Sequence, residues 1–102
     1  MEINQHNNSF TALNRKAAEK IIFKRVTNPE EQNQLEHMFE YLKKSPNMTV
    51  IKPVKGSSRR LEADIYDGNG NIHNMKEGRF ASMFSPKYFI QSVADLAHKF
   101  EK

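Results

Sequence analysis

Apolar residues recur along this chain at two different periods. Leu35, Met38, Phe39 and Leu42 stand at i, i+3, i+4 and i+7, which is one face of a helix. The flanks agree with that reading. Asn28 suits an N-cap, Pro29 the first helical position, and Glu30 and Glu31 the positive end of the helix dipole. Lys43 and Lys44 favour the far end, and Pro46 stops further helix. A last helix is predicted from Ser85 as N-cap and Pro86 as its first residue. Its buried stripe is Phe89, Val93, Leu96 and Phe100, widened by Ile90 and Ala97. An earlier helix is expected from Ser9 or Thr11 to about residue 24, on Phe10, Leu13, Ala17 and Ile21. Residues 21–26 also read as a short strand, and the pattern leaves that choice open.

From Thr49 the period drops to two. Thr49–Lys52 is β-branched and short, with Pro53 marking an edge position or the strand's end. Gly56–Ser58 is a turn. Leu61, Ala63 and Ile65 then alternate with Glu62, Asp64 and Tyr66, as in a half-buried strand. Asp67–Asn71 supplies residues that tolerate positive φ and so predicts a hairpin into a third strand, Ile72 to about Glu77. The expected fold is α+β: a three-stranded antiparallel β-meander packed against amphipathic helices, in the order α-α-β-β-β-α. It forms one small domain over residues 9–102, behind a disordered leader at residues 1–8 that is polar and Asn-rich.

Composition narrows the classes. The chain has 102 residues, 37% of them hydrophobic, which suffices for one modest core and not for two domains. No run approaches the length of a membrane span, and the first nine residues lack the apolar centre of a signal peptide. There is no Cys, so disulfides, thiol nucleophiles and Cys-ligated zinc are excluded. These features point to the cytoplasm and leave export by a non-classical route open. The net charge of +4 is unevenly placed. Residues 52–102 carry nine basic and six acidic side chains, a lean toward anionic partners.

Motifs with chemistry are scarce. The four His, at 6, 37, 73 and 98, share no one-turn spacing, so no metal site is expected. Asp67–Asn71 imitates the start of a calcium loop, but Ile72 stands where such a loop needs Gly and Gly78 where it needs Glu. No phosphate loop, nucleophile elbow or spaced carboxylate pair is present, and no cofactor is implied. Glu62 and Asp64 read as a charged outer strand face opposite basic neighbours.

One cluster has functional reach. Lys52, Lys55, Arg59 and Arg60 fall within nine residues with no acid among them. In a meander, Arg59 and Arg60 meet Lys76 and Arg79 at the end opposite the hairpin turn, with Lys87 nearby. Those seven side chains predict an anion-binding rim suited to phosphate oxygens, with Glu62, Asp64 and Glu77 near enough to neutralise part of it. Tyr66 or Tyr88 would add stacking.

Residues 28–101 run α-β-β-β-α, an order that resembles the double-stranded RNA-binding domain. Leu61–Asp67, a turn, Gly78 and the helix from Ser85 are also similar to it in spacing. That family clamps phosphates with a lysine cluster at the start of its last helix; Ser85–Pro86–Lys87–Tyr88 offers a single Lys. Residues 49–100 likewise resemble the strands and helix of plant-type and integrase arm-type DNA-binding domains. Both likenesses are topological and imply a nucleic-acid partner.

The expected function is a small non-catalytic binding module for nucleic acid or another polyanion, working through this rim. The alternative is a protein-interaction module that docks through Phe80, Met83 and Phe84. That segment is either a buried plug under the last helix or an exposed patch, and a core this small favours the plug.

Overall fold

The computed structural model describes residues 13–99. The predicted leader, the expected helix start at Ser9–Ala12, and Phe100 lie outside the described residues. The elements are β1 (Leu13–Asn14), a 3-10 turn (Lys16–Ala18), α1 (Glu19–Arg25), α2 (Pro29–Lys43), β2 (Met48–Pro53), β3 (Leu61–Tyr66), β4 (Ile72–Lys76), a second 3-10 turn (Ala81–Met83) and α3 (Pro86–Lys99). The architecture is α+β, as the patterning predicts.

The sheet differs in detail. Among the described residues it has four strands in the order β1-β2-β3-β4, and β1 runs parallel to β2, with Leu13 opposite Thr49. The meander is therefore the antiparallel part of a mixed sheet. The first expected helix is correspondingly shortened. Asn14 Oδ1 accepts a hydrogen bond from the Lys16 backbone N–H at 3.1 Å, which turns the chain locally instead of continuing a helix. Helix then runs from Glu19 to Arg25, which settles the ambiguous segment. Its buried positions are Ile21, Ile22 and Arg25. The expected Ala17 is exposed, and Ala18 is buried in its place.

The other helices form as their caps predict. Asn28 Oδ1 accepts the Glu31 N–H at 2.8 Å, and Pro29 opens α2. Leu35, Phe39 and Leu42 are buried along one stripe. In α3 the buried residues include Phe89, Ile90, Val93 and Ala97. These helices pack on each other and on the inner sheet face, where Ile51, Leu61, Ala63 and Ile65 have no exposed surface. Buried Asn47 and Ser45, in the α2–β2 connection, donate to the Ala97 carbonyl at 2.8 and 3.2 Å. They satisfy an orphan acceptor of the last turn of α3 and hold its end against the sheet.

The hairpin between β3 and β4 also follows its sequence. Asp67 Oδ1 accepts from the N–H groups of Asn69 and Asn71, and Gly70 takes φ +88°. The Asp67 carboxyl is held down to about 2, from 3.8, by the hydrogen bond from His73 and by the backbone N–H groups of Asn71 and Asn69.

Candidate functional site

Strand register divides the predicted rim before anything else does. Lys52, Glu62 and Lys76 form one cross-strand row on the open face of the sheet, and Val50, Asp64 and Asn74 form the next. Lys52 Nζ lies 2.8 Å from Asp64 Oδ2, and Lys76 Nζ lies 3.9 Å from Glu62 Oε2. Asn74 Nδ2 donates to both carboxylates, at 2.7 and 2.8 Å. Burial pushes the Asp64 carboxyl up, but the hydrogen bonds from Asn74 and Lys52 outweigh it and lower the pKa. The hydrogen bond and charge of Asp64 raise the pKa of Lys52. Two of the seven rim cations are thus locally neutralised, in the charged outer face that alternation predicts.

The arginines go elsewhere. After β4 the chain leaves the sheet, and its backbone loses ladder partners. Arg60 Nε donates to the Glu77 carbonyl at 2.8 Å, and Arg59 Nε donates to the Ser82 carbonyl at 2.9 Å. Beneath them lies a pair that the rim prediction did not contain. Arg25 and Glu77 make a two-pronged ion pair at 2.6 and 2.9 Å, with both side chains almost fully buried. Arg25 also donates to the Arg59 carbonyl at 3.1 Å and to the Phe84 carbonyl at 2.8 Å. Glu77 Oε1 accepts the Leu61 N–H at 3.1 Å. Ser82 Oγ closes the turn on the Arg79 carbonyl at 2.7 Å. Carbonyls through residues 77–84 are thereby tied to α1 and to the β2–β3 turn.

Both members of that pair carried a signal. Alternation from an inward Met75 places Glu77 on the inward side, where a carboxylate requires a cation, although an inward Ile72 would give the opposite parity. Arg25 continues the inward stripe of Ile21 and Ile22. Neither parity says which cation meets which anion, because 52 residues separate them.

The tied segment turns its large apolar side chains outward. Phe80 is 75% exposed, Met83 68% and Phe84 54%, so the buried plug is not formed. The sheet and helices complete the core without these side chains. Phe80 and Phe84 pack edge to face with centroids 5.5 Å apart. Tyr88 is exposed beside them, with Lys87 Nζ 5.2 Å from its ring centroid. A groove of about 410 Å³ runs from Phe84, Ser85, Lys87 and Tyr88 to Asn28, Glu30, Glu31 and Gln34. Lys87 donates to Gln34 across it at 2.6 Å. Lys55, Arg59 and Arg79 are exposed and have no carboxylate partner among the described residues.

The structure thus brings Arg59, Arg60, Arg79, Phe80, Met83 and Phe84 into one region and leaves Lys52 and Lys76 on the sheet face. Among the described residues, no three His, Asp or Glu side chains converge as metal ligands, and no helix is long and apolar enough to cross a membrane. Compared with protein families, characterised proteins and solved structures, the chain matches none.

Proposed function

We propose that this protein is a non-catalytic interaction module that docks on a protein partner through Phe80, Met83, Phe84 and Tyr88. The carrying observation is the exposure of three large apolar side chains on a segment whose backbone is tied down by Arg25 and Arg59. A pre-ordered backbone loses little further freedom on binding, and aromatic, Met and Arg side chains are the residues enriched at interface cores. Charge narrows the partner. No acid lies between Gly78 and Tyr88 in sequence, the preceding Glu77 is buried in its ion pair, and Arg59 and Arg79 flank the Phe80 end of the patch, whereas Glu30 and Glu31 line the groove at its Tyr88 end. The fitting surface is an apolar pocket rimmed by carboxylates.

A second reading keeps the polyanion partner, supported by Lys55, Arg59 and Arg79, which have no carboxylate partner among the described residues. Phosphate binding then draws on these three and not on Lys52 or Lys76, whose charge is answered by Asp64 and Glu62.

One comparison separates the two. Affinity capture with wild type, Phe80→Ser/Phe84→Ser and Lys55→Glu/Arg79→Glu is scored alongside anisotropy of labelled duplex and single-stranded nucleic acid at about 50 and 200 mM salt. The docking reading expects a protein lost with the Phe80/Phe84 variant, its interaction surviving nuclease. A capture profile indifferent to Phe80 and Phe84 defeats it. Salt-sensitive nucleic-acid binding lost only with the charge reversals favours the second reading.

A further inference from the structure

β4 is the last strand of the sheet, and among the described residues its outer edge pairs with no strand. Its hydrogen-bond phase follows from the two bonds that bracket it. The Glu77 N–H donates to the Leu61 carbonyl at 2.8 Å and the Asp67 N–H to the Asn71 carbonyl at 3.0 Å. In this antiparallel register His73 and Met75 therefore bond inward to β3, while Ile72, Asn74 and Lys76 direct their N–H and C=O groups outward. Directly under this edge, on the helical side, lies a groove of about 320 Å³ lined by Met75, Ser92, Asp95, Leu96 and Lys99. Met75 and Leu96 are only partly covered by the core. Asp95 and Lys99, one turn apart on α3, are exposed on its wall.

We propose that a second copy of this chain adds to the sheet at β4, antiparallel, across a two-fold axis at Asn74. This register overlaps the whole strand and sets Lys76 against Ile72 of the second copy, whereas centring on Lys76 would place two lysines opposite each other. An axis perpendicular to the sheet keeps both α3 helices on the same side and antiparallel. Asp95 of each copy then faces Lys99 of the other, and Met75 and Leu96 close over the axis. The self-complementary charge pair and the free backbone edge select the same partner.

Sedimentation velocity on the full chain, from about 1 to 100 µM, tests this. The expected result is a concentration-dependent dimer. Asn74→Pro removes an outward N–H and no backbone bond to β3, although the side-chain bonds to Glu62 and Asp64 go with it, and it weakens the dimer about tenfold or more. Asp95→Lys weakens it similarly by facing like charges, and Asp95→Lys/Lys99→Asp restores it, with circular dichroism checking the fold. If Asn74→Pro proves unfolded, the charge swap alone decides. A monomer throughout overturns the proposal. So does a dimer indifferent to Asp95→Lys, or one abolished by Phe80→Ser/Phe84→Ser instead.

Discussion

The open face of the sheet and the segment after β4 are both met by basic side chains, which serve the two regions in opposite ways. Within the sheet, apart from the outer edge of β4, backbone groups are satisfied by the ladder, so the side chains of Lys52, Lys76, Glu62, Asp64 and Asn74 pair with one another. After β4 the ladder ends, and carbonyls at Glu77, Ser82 and Phe84 require donors. Arginine suits that task, because its planar guanidinium presents several donors at once and stays charged. The cost appears in the apolar residues: with the backbone tied to α1 and the β2–β3 turn, Phe80, Met83 and Phe84 face water. Cations on the sheet are decoration of a surface, while those at the segment set its shape.

The largest test of this contrast is the buried pair. Glu77→Ala leaves Arg25 charged and uncompensated and should cost about 3–5 kcal/mol in urea denaturation, a large share of a domain this size. Arg25→Met/Glu77→Leu should recover part of the loss, since neither charge then remains buried. Next comes Arg59→Ala, which removes the donor to Ser82 and should cost about 1 kcal/mol. It should also speed hydrogen exchange through residues 82–84 and tryptic cleavage after Arg79. Lys52→Met, on the exposed face, should shift the urea midpoint less than Arg59→Ala, and the remaining shift should shrink with salt. A larger effect at Lys52 would break the comparison.

The smallest effect concerns acid. The Asp67 carboxyl titrates at about 2 in the fold against 3.8 for the free group. Because the folded value is depressed, its stabilisation is fully present above about pH 4 and is lost as pH falls toward 2. Carboxyl-detected NMR should place the Asp67 midpoint near about 2, and His73→Gln should move it back toward 3.8.

What could be read in advance depended on the range of the interaction. Asn28 and Pro29 cap α2 through neighbours three residues away, and Asp67 organises its turn within four. Such contacts are written into consecutive residues. The β1–β2 pairing was invisible because two residues carry no period, and its partner lies 36 positions further along. The rim was half legible: the cluster of cations is a fact of order, but which of them keeps a free charge depends on register. Lys52 and Lys76 lost theirs to carboxylates on the neighbouring strand, and Arg25 entered from an element that had no apparent connection with it.

The amino-acid order by itself determined the α+β class, the caps of α2 and α3, the alternating strands and the hairpin turn, because each rests on local periodicity or a short side-chain-to-backbone bond. Tertiary structure decided the fourth strand, the partners of the charged residues and the exposure of Phe80, Met83 and Phe84. Those outcomes depend on which distant backbone groups lack partners once the sheet has closed, and on the need to satisfy buried carbonyls and charges before further apolar surface is covered.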